Sequence, residues 1–265
     1  MSTGGASLPD LLVSVDGAIG TITLNRPGKR NAVTYDMWLA LGAACHRLAA
    51  DAAVRVVVLR GAGDHFCAGA DITELLADRA TGSPSFMDAN MAAEHALAML
   101  PKPTIAVVQG DCIGGGCAVA IDCDFRLAVA GARFGITPAK LGIVYPPASL
   151  ERSVRLLGPA AKRLLFTGDL IDAPEAHRIG LVDELLAADA IEARLVDLCT
   201  SLAQRSLLTQ AATKEMIAAV TEHGVVSADL AETWAREVAM SGEMTEGVAA
   251  FQERRAPRFP WKGRR

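Results

Sequence analysis

The chain has 265 residues, of which 51% are hydrophobic and 21% charged, with a formal net charge of −4. This globular composition suits one large α/β domain, or a core with a helical appendage. The acidic balance argues against general nucleic-acid binding. No apolar run approaches the roughly 20 residues of a membrane span, and Met1 to Pro9 lack the pattern of a secretory signal.

The six cysteines include no pair at the spacing of a zinc site, and Cys112, Cys117 and Cys123 lie in apolar stretches. Buried free thiols are typical of reduced compartments, so we expect a cytoplasmic protein that uses no metal. Residues 251–265 carry six basic side chains against Glu253. This segment is either a solvated tail or a local site for a phosphate-rich ligand.

The first predicted elements are two apolar runs, Leu11–Val15 and Ile19–Leu24, on either side of Asp16-Gly17. Asp-Gly is typical of tight hairpin turns, so the pattern predicts an antiparallel hairpin. Thr34 stands where a helix N-cap is expected, before an amphipathic helix that should reach about Ala50.

Two later segments share one arrangement, in which a buried strand leads through a glycine-rich loop into a helix. In the first, Val54–Arg60 is a β-branched run followed by a loop to Asp71, after which we expect a short helix. In the second, Thr104–Val108 leads through Gly110–Gly116 into a helix at Cys117–Ile121. A helix is predicted at 87–100 and a strand at 125–129. The repetition indicates a parallel α/β architecture.

Beyond Ile191 the sequence predicts only helices, at 191–203, 208–220, 227–240 and 245–254. We interpret residues 1–190 as the core that carries the site, and residues 191–265 as a helical region for oligomerisation. The apolar faces of these helices exceed what one chain is expected to bury.

The two glycine-rich loops would each place unpaired backbone amides at the start of a helix, where the helix dipole favours negative charge. Two convergent N–H donors can form an oxyanion hole, which stabilises the charge of a thioester enolate. Glycine permits close approach of a ligand, as at Gly114-Gly115-Gly116. Taken alone, the triple glycine is weak evidence and suits a plain turn better, and it matches neither the P-loop nor the dinucleotide-binding pattern.

The combination of motifs is more specific, and it resembles the crotonase (enoyl-CoA hydratase/isomerase) superfamily over roughly residues 11–259. The similar segments are Asn25-Arg26-Pro27 with Asn31-Ala32, Phe66 to Ile72, Pro101 to Ala106, Gly110 with Gly114 to Cys117, Phe134-Gly135, Leu141-Gly142, Gly180-Leu181-Val182, and Phe251 to Arg255. The resemblance implies a spiral of ββα repeats with C-terminal helices that assemble homotrimers, often paired into hexamers. It also implies an acyl-CoA substrate, of which coenzyme A is part, with no separate cofactor.

For the catalytic site, the resemblance places two oxyanion donors at the backbone N–H groups of Cys67 and Gly115. A nucleophilic Cys67 activated by His65 is a less favoured alternative, because no orienting Asn or Asp is evident.

For coenzyme A, the resemblance places the adenine beside the segment that contains Ala68, Ala70, Asp71 and Ile72. Asp71 is also expected to set the loop or cap the next helix. Basic residues of the turn at Arg26 and Lys29 would face the phosphates. Arg254 would reach the phosphates of a ligand bound by a neighbouring subunit.

The chain departs from the best-known hydratases of this superfamily at two positions. Ala118 and Pro138 stand where those enzymes carry the glutamates that add water, and neither side chain can transfer a proton. The segment Phe134–Tyr145 is instead similar to the methylmalonyl-CoA decarboxylase type, in which a tyrosine occupies the position of Tyr145. That type has a histidine where this chain has Ala70.

These departures leave three hypotheses open. In the first, the chain is an acyl-CoA enzyme that stabilises an enolate, and its candidate reaction is decarboxylation of a malonyl-type thioester, with Tyr145 orienting the carboxylate or helping in protonation. Alternatively, it is a hydratase or isomerase whose base comes from elsewhere, for example Glu151 or Asp88. Thirdly, it binds acyl-CoA without catalysis. In each case Tyr145 has a structural alternative as a packed aromatic residue.

Overall fold

The strands form two sheets in the computed structural model, which describes residues 9–77 and 80–264. The larger sheet has six strands in the order β1-β2-β3-β4-β6-β9, and the smaller has three in the order β5-β7-β8. The strands are β1 (Leu11–Asp16), β2 (Ile19–Leu24), β3 (Val56–Gly61), β4 (Thr104–Val108), β5 (Asp111–Ile113), β6 (Phe125–Val129), β7 (Arg133–Gly135), β8 (Ile171–Asp172) and β9 (Glu184–Leu186).

The larger sheet begins with the predicted hairpin. Strands β1 and β2 pair antiparallel and are joined through Gly17, whose φ of 55° is one that glycine adopts without strain. From β2 onwards the neighbouring strands are parallel. The parallel α/β architecture predicted from the repeated strand, loop and helix is therefore confirmed.

Both faces of this sheet are buried at β3, as its β-branched run predicts. Val57 and Leu59 point into the main hydrophobic core, whereas Val56 and Val58 pack in a second cluster on the opposite face. That second cluster includes Ile191 at the start of the helix after β9.

The helices occupy most of the remaining chain. They are α1 (Tyr35–Ala50), α2 (Phe86–Ala98), α3 (Gly115–Asp122), α4 (Pro147–Leu157), α5 (Ala160–Thr167), α6 (Ala173–Arg178), α7 (Ile191–Ala203), α8 (Leu207–His223), α9 (Ala228–Ser241) and α10 (Glu243–Gln252). Thr34 caps α1 as predicted, because its side chain accepts a hydrogen bond from the N–H of Met37. No helix within the described residues is long and apolar enough to cross a membrane.

The structure corrects the short helix predicted after Ala70. Residues 71–77 form turns instead. The carboxylate of Asp71 accepts hydrogen bonds from both the N–H and the hydroxyl of Thr73, at 3.2 and 2.7 Å. A hydrogen bond from nearby backbone to an aspartate side chain competes with formation of the first turn of a helix. Of the two glycine-rich loops, only the second, at α3, therefore ends in a helix.

Candidate active site

The loop after β3 and the loop after β4 lie side by side. Cys67 and Cys112 form a parallel β-bridge, in which the N–H of Cys67 donates to the carbonyl of Asp111 and the N–H of Ile113 donates to the carbonyl of Cys67, both at 2.9 Å. This pairing places the segment around Ala70 against the N-terminus of α3.

Two glycines allow this close approach. A Cβ on Gly69, whose φ is +98°, would lie 2.9 Å from the carbonyl oxygen of Ile113, and a Cβ on Gly116 would overlap the carbonyl of Cys67. Only glycine satisfies both the backbone conformation and the contact at Gly69. The glycines of both motifs therefore bring the two loops together.

The pairing corrects one predicted oxyanion donor. The Cys67 N–H already donates to Asp111 and is not free to bind a ligand. Gly69 and Asp71 pair with Val33, since the Val33 N–H donates to the Gly69 carbonyl and the Asp71 N–H donates to the Val33 carbonyl. In such an extended segment the N–H between them points the opposite way. That N–H belongs to Ala70.

Two backbone N–H groups therefore remain available where the loops meet. Among the hydrogen bonds of the described residues, neither the N–H of Ala70 nor that of Gly115 has an acceptor. Gly115 is the first residue of α3, so its N–H has no partner within the helix. A Cβ built on Gly115 would lie 3.5 Å from the Ala70 nitrogen, which shows how close the two residues are.

The two residues border a cavity of about 110 Å³. Its other described lining residues are Trp38, Ala68, Gly69, Ile72, Leu75, Phe86, Met87, Asn90, Glu94, Gly114, Thr137, Pro138, Leu141, Ile143, Tyr145 and Pro146. Ile72 and Leu141 are 63% and 55% exposed and mark the side that faces solvent. The cavity is mainly apolar with a few polar groups, as small-molecule sites usually are.

Tyr145 lies at this cavity, as expected, together with a second buried donor. The Tyr145 hydroxyl and the indole N–H of Trp38 are both buried without a hydrogen-bond partner among the described residues. Burial is the main reason that the pKa of Tyr145 lies well above its usual value, so the hydroxyl stays protonated. An unpaired buried donor costs free energy, and a polar atom of a ligand would remove that cost.

Ala118 and Pro138, which the resemblance aligns with the hydratase glutamates, have different surroundings. Ala118 is buried within α3, and Pro138 begins a short 3-10 turn at the cavity wall. The alternative bases named from the sequence are both wrong for this cavity. The side chain of Glu151 is 62% exposed, and Asp88 forms the capping box of α2 with Ser85.

Sequence reasoning missed the carboxyl group of Glu94, which does line the cavity. It lies on α2 and is 2% exposed. Its carboxylate accepts hydrogen bonds from the Asn90 amide at 2.9 Å and the Ser149 hydroxyl at 2.5 Å. The available signal was its position on the buried face of α2, three residues before Leu97 and one after Ala93.

The surroundings of Glu94 affect its protonation. Burial raises its pKa, and the hydrogen bonds from Ser149 and Asn90 oppose that shift, as does the charge of Arg152. The Arg152 guanidinium itself pairs with Asp122 at 2.9 Å. Burial, with Glu94 as a second cause, also raises the pKa of Asp122 well above its ordinary value. The charge of Glu94 therefore disfavours the ionisation of Asp122.

The nucleophilic alternative for Cys67 is wrong. Burial raises the pKa of the Cys67 thiol to about 12, which leaves no thiolate near neutral pH. Among the described residues, the Cys67 sulfur has hydrogen bonds only with the backbone of Gly69, and the Nδ1 of His65 instead accepts a hydrogen bond from the Asp111 N–H at 3.0 Å.

Among the residues predicted to contact coenzyme A, Arg26 is already occupied. Its guanidinium donates to Asp71 at 2.9 Å and to the Ala32 carbonyl at 2.7 Å, and its side chain is only 18% exposed. The prediction that Arg26 faces the phosphates is therefore corrected, and Asp71 holds Arg26 rather than capping a helix. Lys29 and Arg254 are exposed, so both remain predictions for phosphate binding.

Comparison with known proteins identifies the family. The chain matches the enoyl-CoA hydratase/isomerase family over residues 14–264. It is 36% identical over 257 residues to a putative enoyl-CoA hydratase of Thermus thermophilus, across 92% of this chain and 98% of that protein. It is 31% identical over 258 residues to a crotonyl-CoA hydratase of Syntrophomonas wolfei, across 94% and 97% of the two chains.

The fold agrees with these matches. A crystal structure of an enoyl-CoA hydratase/isomerase family member superposes with a TM-score of 0.87 at 38% identity, covering 96% of this chain and 99% of the other. The chain therefore belongs to the enoyl-CoA hydratase/isomerase family and has the crotonase fold. It is an acyl-CoA enzyme by family, as the motifs predicted.

Proposed function

We propose that this enzyme stabilises the enolate of an acyl-CoA thioester between the backbone N–H groups of Ala70 and Gly115. The observation that carries the proposal is this pair of unpartnered donors on two loops in contact, at the edge of one cavity. A thioester oxygen that accepts both would gain negative charge as the enolate forms. Each such donor is worth about 2.7–4 kcal/mol in the transition state.

The reaction that this site suits least is the ordinary addition of water. The hydratases that this chain resembles use two glutamates, and Ala118 and Pro138 stand at the corresponding positions here. General acid–base catalysis contributes about 10²–10⁴ in rate, so its loss from both positions should make hydration slow. The activity named for the crotonyl-CoA hydratase relative therefore does not transfer directly to this chain.

The reaction that the site suits better is decarboxylation of a malonyl-type thioester. The bond from Cα to the carboxylate breaks, CO₂ leaves, and the electron pair remains as the enolate held by Ala70 and Gly115. No base is needed for that step. The unpaired hydroxyl of Tyr145 and indole N–H of Trp38 supply two donors that could orient the substrate carboxylate.

Three assays on the purified protein separate the hypotheses. We expect CO₂ release from methylmalonyl-CoA or ethylmalonyl-CoA, slow hydration of crotonyl-CoA, and calorimetric binding of a saturated acyl-CoA. Hydration at a kcat of about 10 s⁻¹, an ordinary enzymatic rate, would refute the proposal. Binding without turnover of any of these substrates would support a non-catalytic acyl-CoA-binding protein instead.

A further inference from the structure

The buried carboxyl of Glu94 has no role in the proposal so far. Among the described residues that line the cavity, it is the only carboxyl, and it shares this cavity with Ala70 and Gly115. Burying a carboxyl is costly unless its partners compensate, so this position beside the site requires an explanation.

The partners of Glu94 are neutral donors rather than a counter-ion. Asn90 and Ser149 each donate one hydrogen bond to it, whereas the nearby guanidinium of Arg152 forms its ion pair with Asp122. Among the described residues, no ion pair includes Glu94. A carboxyl held in this way can lose or gain a proton without breaking a salt bridge.

We infer that Glu94 is the acid–base group of this site and transfers the proton at the α-carbon of the bound acyl-CoA. This inference rests on the proposed enolate function and adds the proton carrier that Ala118 and Pro138 cannot supply. It assigns the role to α2, whereas both of those positions lie on other elements.

The proton transfer between Glu94 and Cα can be written as a balanced step in both directions. After CO₂ leaves a malonyl-type thioester, the neutral Glu94 carboxyl gives its proton to Cα of the enolate, and solvent then reprotonates the carboxylate. With a saturated acyl-CoA, the Glu94 carboxylate takes a Cα proton and the C–H electron pair becomes the enolate. The Glu94 carboxyl then exchanges this proton with solvent and returns a proton to Cα, which in D₂O is a deuteron.

The electrostatic surroundings agree with this role. Burial raises the pKa of Glu94, and the charges that face it are Asp122 on α3 and Arg152 on α4, with the Tyr145 hydroxyl nearby. Acid–base catalysis is most efficient when the pKa lies near the working pH. The structural alternative is that Glu94 only ties α2 to α4 through Ser149.

The test is hydrogen–deuterium exchange at Cα of butyryl-CoA in D₂O, followed by mass spectrometry, with butyryl-CoA binding measured separately. We expect the wild type to incorporate deuterium and Glu94→Gln to be slower by about 10²-fold or more. The matched control is Glu151→Gln, since that side chain is 62% exposed on α4 and should leave the exchange unchanged. Glu94→Asp and the pH profile of wild-type exchange provide the same test if the glutamine variant fails to fold.

Each result decides between the explanations. Loss of exchange with retained binding supports the inference, as does a wild-type profile with an inflection above the ordinary carboxyl range. Exchange that is equal in wild type and Glu94→Gln overturns it, and so does a wild type that binds butyryl-CoA without exchanging. Absence of any butyryl-CoA binding would instead overturn the proposed function itself.

Discussion

Replacing Gly115 with proline should remove one oxyanion donor with little backbone strain. Gly115 is the first residue of α3, a position where helices accept proline because the N–H has no helical acceptor. A Cβ there would lie 3.5 Å from the Ala70 nitrogen and 3.5 Å from Cζ2 of Trp38, which are ordinary contact distances. The preceding Gly114 has no side chain to clash with the proline ring.

The lost donor sets the expected magnitude. One oxyanion-hole hydrogen bond is worth about 2.7–4 kcal/mol, so kcat should fall by about 10²–10³. Binding of a saturated acyl-CoA should change little, because the donor acts mainly on the charge of the transition state. CO₂ release from a malonyl-type thioester measures the first quantity and calorimetry the second.

The control for this substitution is Gly115→Ala, which adds a Cβ but keeps the N–H. It should be clearly more active than Gly115→Pro. If the two variants have equal activity, the loss is steric or absent, and the Gly115 N–H is not a donor to the enolate.

Three further predictions concern other parts of the molecule. Gly116→Ala should lower the free energy of unfolding by about 1–3 kcal/mol, because the added Cβ would overlap the Cys67 carbonyl. Urea unfolding measures this change, and unchanged stability would contradict the packing of the two loops. Tyr145→Phe should slow decarboxylation by about 10- to 10⁴-fold, and an unaffected rate would make Tyr145 a packing residue. Light scattering should report a trimer or a dimer of trimers and not a monomer, since α9 and α10 expose large apolar side chains, namely Met240, Met244, Val248 and Phe251.

The strands and helices were largely predictable because their signals are local. The hairpin at Gly17, the cap at Thr34 and the β-branched run of β3 each depend on neighbouring residues, and each appears as predicted. The helix expected after Ala70 failed for a local reason too, because the Asp71 side chain binds the backbone of Thr73 instead.

The site was predictable only as a segment. The motif around Cys67 located the loop, but which N–H is free depends on pairing with Val33 and Asp111, which lie far away in sequence. The sequence therefore located the right loop but predicted the N–H of Cys67 as the donor, whereas the free N–H belongs to Ala70. Glu94 was missed because α2 carries no motif and meets the glycine loops only in the folded chain.

Decarboxylation and deuterium exchange at Cα need opposite protonation states of Glu94. Their rates should therefore respond to pH in opposite directions. Because burial raises its pKa, the neutral form persists above the usual glutamate value of about 4.3. Decarboxylation needs that neutral form, both to avoid repelling the substrate carboxylate and to protonate the enolate. Its rate should therefore fall as pH rises through the pKa of Glu94.

Deuterium exchange into butyryl-CoA needs the ionised form to begin, so its rate should rise over the same pH interval. Asp122→Asn tests the assignment, because it releases Arg152 from its ion pair, and the charge of Arg152 lowers the pKa of Glu94. A freed Arg152 favours the Glu94 carboxylate, so both pH profiles should shift to lower pH without losing their shape. Profiles that rise together, or that ignore Asp122→Asn, would show that another group carries the proton.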